Sequence, residues 1–222
     1  MGLDRSDLLN MLDASFIARL QDQATLDWHG EPPYSALDGL VQLAADDLSP
    51  LDPLVPLILN HHHSNFDLWH EEDKAREPDV SDEHIAAVKH AIDALNQRRN
   101  DLVEAIDRML LENAGTQNPS APLNSESPGL MIDRLSVLAL KLYHTAEEAH
   151  RASATESHRE KNRARLALLE EQRSDLAACL DALWTEVRNG TRRFKLYRQM
   201  KMYNDPELNP AIYTHSTPRK LS

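Results

Sequence analysis

Leu68-Trp69-His70-Glu71-Glu72-Asp73 and Leu142-Tyr143-His144-Thr145-Ala146-Glu147 are the two stretches whose comparison decides the fold. They stand 74 positions apart, from 70 to 144, and the spacing persists without a gap. Ile92 falls on Leu166, Leu95 on Leu169, Arg99 on Arg173, Asp101 on Asp175, Leu102 on Leu176 and Ile106 on Leu180. An ungapped match over two helical segments and the turn between them predicts a duplicated helical hairpin. Two such hairpins bury their apolar sides best against each other. The expected fold is therefore all-α, a pseudo-symmetric four-helix bundle with two extra N-terminal helices packed outside it and a C-terminal tail.

Composition agrees with helices. The chain has 222 residues, 41% hydrophobic but only 5% aromatic, and just 6 glycines. That length suits a single domain over residues 1–222 with a sizeable core. The net charge of −12 argues against a surface that holds duplex nucleic acid. Cys179 is the one cysteine, so an internal disulfide is excluded, and its place in a leucine-rich pattern predicts core packing. The start Met1-Gly2-Leu3-Asp4-Arg5 lacks an apolar signal segment, and the longest apolar runs are too short for a transmembrane segment. The expectation is a cytoplasmic protein.

Punctuation places the elements. Residues 1–50 carry the N-terminal helices, one capped by Ser6 and running through Phe16 and Leu20, the other capped by Ser35; Trp28 to Tyr34 reads as the loop between them. The first hairpin spans 54–112, breaking at Pro78-Asp79, with Ser81 capping its second helix. A Pro/Ser/Asn-rich linker follows Gly115. The second hairpin spans 124–190, its first helix opened by Ser127-Pro128 and its second ending near Asn189-Gly190.

The repeat also sorts polar positions. The inner stripe of the second copy is Ile132, Leu135, Ala139, Leu142, Ala146 and Ala149. Its counterpart is Ile58, His61, Asn65, Leu68, Glu72 and Ala75, so His61, Asn65 and Glu72 should face the interior and need partners. Arg99 and Arg173 interrupt leucine stripes at equivalent places. Hairpin geometry puts Arg99 level with Asn60 or His61, and Arg173 level with Asp133 or Arg134. These residues would form either a buried ion-pair network that sets register or a ligand site. Lys141 interrupts the apolar stretch Leu135–Tyr143. It reads equally as a snorkelling surface lysine or as a charge for a carboxylate, such as Asp67, or a phosphate.

His70 with Asp73, and His144 with Glu147, give one His-x-x-carboxylate pair per copy. A divalent metal across the pseudo-twofold would take such a four-ligand set, while a solvated polar face would show the same spacing. The segment 191–222 reverses the local charge. Arg192, Arg193, Lys195, Arg198 and Lys201 alternate with Phe194, Leu196, Tyr197 and Tyr203. Such a stripe suits phosphate or nucleotide contacts, or else folds back so that its aromatics cover the core.

Three groups of motifs resemble one family. They are Asn65-Phe66-Asp67-Leu68-Trp69-His70-Glu71-Glu72-Asp73-Lys74-Ala75-Arg76; then Asn124 to Gly129 with Ile132-Asp133-Arg134-Leu135-Ser136 and Lys141-Leu142-Tyr143-His144; then Lys201-Met202-Tyr203-Asn204-Asp205-Pro206 with Asn209-Pro210. Together they are similar to a bacterial family termed domain of unknown function 4254. Its genes tend to sit beside glycosyltransferase and lipopolysaccharide or capsule genes. The resemblance implies a context, cell-envelope glycan assembly, and transfers no catalytic residue. It adds Tyr203, Asn204 and Asp205 to the ligand-binding candidates. Three functions stay open: an accessory protein acting with a glycosyltransferase or sugar nucleotide, a metal-dependent helical enzyme acting on a nucleotide or nucleotide sugar, and a homodimeric scaffold.

Overall fold

A computed structural model describes residues 12–30, 54–198, 200 and 207–210. Among these described residues are five helices: α1 (Ala14–His29), α2 (Leu54–Lys74), α3 (Asp82–Ala114), α4 (Pro128–His150) and α5 (Glu156–Arg188). Among the described residues there is no strand, only an isolated parallel bridge between Leu123 and Arg193. No helix there is long and apolar enough to cross a membrane.

Helix boundaries keep the spacing of 74. α2 begins at 54 and α4 at 128; α3 begins at 82 and α5 at 156. The caps also correspond: Ser81 accepts from the His84 N–H, and Thr155 accepts from the His158 N–H. Residues at equivalent positions even touch. His62 bonds Ser136, and the His70 and His144 rings lie 6.1 Å apart. Two such contacts, two turns apart along each helix, make α2 and α4 run side by side in one direction. α3 and α5 return antiparallel. α1 runs with α2 and α4, because Gln21 reaches the Ile132 carbonyl while His29 reaches His144.

The main core joins Ile17, Leu20, Ile58, Ile106, Ile132, Leu135, Leu180 and Phe194. Each such aliphatic or aromatic side chain contributes about 1.5–3 kcal/mol through burial. All six residues of the expected α4 stripe are buried, and α4 packs on every other helix. A smaller cluster of Leu68, Val88 and Ile92 closes the first hairpin near its turn.

Several details depart from expectation. Asp13 caps α1, accepting from the Phe16 N–H, so the helix through Phe16 and Leu20 starts there; Ser6 lies outside the described residues. The helix runs on through Trp28 and His29, read above as loop, and stops where Gly30 turns left-handed at φ 81. Nor does it lie outside the bundle. Ala14, Ile17 and Leu20 enter the main core, and the Ala14 N–H donates to Asp181 at 2.8 Å. The helix expected after Ser35 lies outside the described residues. Cys179 is exposed, because the buried stripe of α5 runs Leu176, Ala177, Leu180, Leu183, Trp184 and Cys179 sits beside it. The start of the C-terminal segment folds back: Phe194 is buried, with its backbone paired to the Gln117 amide at 2.9 and 3.1 Å.

The joint between α3 and α4 is close. The Gly129 N–H donates to Asp107 Oδ1 at 2.7 Å, and Ser127 Oγ donates to Oδ2. A Cβ on Gly129 would stand 2.8 Å from both Asp107 Oδ1 and the Val103 carbonyl, so this approach requires glycine.

Candidate functional site

At the centre of the bundle, seven side chains from four helices form one hydrogen-bonded chain. Its direction follows from counting hydrogens. Thr25 Oγ1 gives its only hydrogen to the Gln21 carbonyl at 2.8 Å, so it accepts from His62 Nε2 at 2.9 Å. His62 Nδ1 therefore accepts, from Ser136 Oγ at 2.7 Å. The Ser136 oxygen in turn accepts from Asn65 Nδ2 at 2.9 Å, whose other hydrogen goes to Asp133 Oδ1 at 3.0 Å. That oxygen also accepts from His61 Nε2 at 2.9 Å and from Arg99 Nε at 2.7 Å. A terminal nitrogen of Arg99 donates to Oδ2.

The electrostatics follow the geometry. Burial pushes the Asp133 carboxyl up, but the bonds from His61 and Arg99 outweigh it and hold it well below the usual carboxylate range. His62 has no charged partner. Burial, reinforced by His61, lowers its pKa to about 3, so it is neutral.

Asp133 and Arg99 also form the wall of an open cleft of about 630 Å³. Its cations are Arg99, Arg134 and Lys141, its carboxylates Glu126, Asp133 and Asp175, and Met131, Val137 and Leu138 give it an apolar side. Arg99 is matched by Asp133, and Arg134 by Glu126 at 3.0 Å. Lys141 has neither an ion pair nor a hydrogen bond among the described residues; Asp67, its suggested partner, pairs with His63 instead. A second cleft of about 350 Å³ shares Arg99 and Val137 with the first and is lined by Asn65, Trp69, Glu72 and Asp73.

The structure thus gathers His61, Asn65, Arg99 and Asp133 into one network, with Arg134 and Lys141 on the adjoining cleft. Arg99 and His61 meet on Asp133, as the hairpin geometry required. Glu72 does not reach the interior. It sits near the end of α2, half-exposed, and pairs with Arg76 at 3.0 Å. Arg173 makes no bond with Asp133 or Arg134, although its neighbours Gln172 and Asp175 line the first cleft with them. Its nitrogen holds both oxygens of Asp22 on α1 at 2.6 and 2.7 Å, because α1 occupies that side of α5. Tyr203, Asn204 and Asp205 lie outside the described residues.

The four residues expected around a metal separate. His70 and His144 meet, but Asp73 is exposed on the second cleft, and Glu147 accepts from His144 Nδ1 at 2.8 Å. The third group beside the two histidines is His29, stacked on Tyr143 at 4.1 Å. His29 gave no signal in the sequence, since it fell in a segment read as loop. His62 did leave a trace. It and its counterpart Ser136 are both polar at one repeat position within otherwise apolar faces.

Comparison with known proteins bears on the same residues. The family described as "Protein of unknown function (DUF4254)" matches residues 56–196. The chain belongs to this family. No curated protein and no solved structure matches it. The match to the DUF4254 family runs from the first turn of α2 to just past Phe194, so it takes in the whole polar network except Thr25.

Proposed function

We propose that this DUF4254 protein is a binding or accessory protein of bacterial cell-envelope glycan assembly, and that it holds the diphosphate of a sugar nucleotide in the Arg99–Lys141 cleft. The observation that carries this reading is Lys141. It is the cation of the cleft left without a carboxylate among the described residues, one turn from Val137 and beside two guanidinium groups already oriented by Glu126 and Asp133. A phosphate is the partner that a free ammonium favours in a cleft it shares with two fixed guanidiniums. The volume suits a nucleotide-sized ligand, and Asp175 across the same cleft is available to accept hydrogen bonds from sugar hydroxyls.

Calorimetric titration of the full chain with uridine and guanosine diphosphates tests this. Lys141→Ala should weaken binding about tenfold or more, the loss of one charge-assisted hydrogen bond, with thermal stability unchanged. No binding of either nucleotide at millimolar concentration defeats the reading. Co-purification with a glycosyltransferase would extend it to the accessory role. A metal-dependent helical enzyme, the second reading, draws on a separate observation, the meeting of three imidazoles at one end of the bundle.

A further inference from the structure

We propose that His29, His70 and His144 form a three-histidine site for a divalent transition-metal ion of the zinc class, with a fourth coordination position left for water or a ligand. One ring nitrogen from each lies within 4.8 Å of the other two. The residues come from three helices that run in the same direction, close to their C-terminal ends. His29 is the last residue of α1, and His70 stands four residues before the end of α2. The negative ends of those helix dipoles therefore point toward the place a cation would occupy.

The second nitrogen of each ring is already committed. His29 Nδ1 donates to the Thr25 carbonyl at 2.7 Å, His70 Nδ1 to the Phe66 carbonyl at 2.8 Å, and His144 Nδ1 to Glu147 at 2.8 Å. Carbonyl and carboxylate oxygens only accept, so each Nδ1 carries the proton and each Nε2 of the neutral ring is a lone pair. Metal-binding histidines are held in this way, one nitrogen fixed by a carbonyl or carboxylate and the other on the ion. The Nε2 atoms of His29 and His144 are buried without a hydrogen-bond partner. Two orphaned lone pairs in a protein interior are costly unless something accepts them.

An aromatic shell sets the ring planes. Tyr143 stacks on His29 at 4.1 Å, Trp69 on His144 at 4.7 Å, and Phe66 lies 4.4 Å from His70. Nitrogens on one tetrahedral zinc stand about 3.3 Å apart, so the rings need rotate inward only slightly. Three imidazoles with no carboxylate among the ligands select zinc, cobalt, nickel or copper over magnesium and calcium.

The test uses the full chain without a histidine tag, stripped with a chelator and titrated with cobalt(II), whose visible bands report nitrogen ligation. One equivalent is expected to bind and to be displaced by zinc. His70→Ala and His144→Ala should abolish the bands, and His90→Ala, on the exposed side of α3, should keep them. Glu147→Gln removes only the carboxylate behind His144; with the helical circular dichroism unchanged it should weaken binding about 10–100-fold. That variant carries the test if either alanine variant unfolds. No stoichiometric uptake by the wild type, or uptake unaffected by both His70→Ala and Glu147→Gln, overturns the proposal.

Discussion

Arg99 of α3 holds Asp133 of α4 with two prongs, Nε at 2.7 Å from Oδ1 and a terminal nitrogen on Oδ2. Asp133 is buried and accepts from His61 and Asn65 as well, whereas Arg99 keeps part of its surface on the clefts. Asp133→Ala therefore leaves three donors without an acceptor and should cost about 3–5 kcal/mol, the range for breaking a buried pair. Arg99→Ala should cost clearly less, because Asp133 retains two donors. Urea unfolding of both variants checks the order; equal losses would contradict the geometry.

His62 makes stability fall in acid. Burial lowers its folded pKa to about 3, while an unfolded histidine titrates near its ordinary value of 6.5. Between those values the unfolded chain binds the proton and the folded chain does not, so this contribution is present above pH 6.5 and is lost as pH falls toward 3. The slope from this group approaches about 1.4 kcal/mol per pH unit. His62→Gln should flatten the dependence of the urea midpoint on pH between 6.5 and 5, whatever it does to stability at pH 7.

Asp107 acts in the opposite sense. Burial raises its pKa to about 6 despite the bonds from Ser127 and Gly129. A raised carboxyl pKa contributes stability below its unfolded value of 3.8 and loses it as pH climbs through 6. Asp107→Asn keeps an acceptor for the Gly129 N–H and removes the buried charge. Relative to wild type it should gain roughly 1–2 kcal/mol between pH 5 and pH 8. Thermal melts at the two pH values measure this difference.

Gly129→Ala should destabilise by about 1–3 kcal/mol, since its Cβ would meet a backbone carbonyl that has nowhere to move. The same change at Gly115 has open space around it but a φ of 68, so its cost arises from backbone strain alone. Double-mutant analysis of Gly129→Ala with Asp107→Ala should show strong coupling, because both touch one contact.

The helices from α2 onward were readable from the sequence. Leucine stripes, Ser81, Ser127-Pro128 and Gly115 mark helices and their ends by local chemistry alone. His61 and Asn65 were identified as interior because their counterparts Leu135 and Ala139 are apolar. What could not be read depended on α1, which has no counterpart at the repeat spacing. Its docking took Arg173 to Asp22, brought Thr25 to His62 and delivered His29 to the other histidines. Glu72 and Cys179 were misjudged for a smaller reason: each sits where a helix stripe drifts or ends, and periodicity fixes a face less sharply there.

Two helical hairpins of matching length create an ambiguity for a folding chain, since α2 and α4 present similar shapes to the same neighbours. An exchange of places would set Leu59 where Asp133 now accepts from Arg99, and Leu135 and Ala139 where His61 and Asn65 now stand. The three donors that converge on Asp133, and the run of donors from Asn65 through Ser136 and His62 to Thr25, can be completed in a single arrangement of the four helices that contribute to them. The network works as a keyed lock between two hairpins of like length, and the key is cut from the positions where they differ.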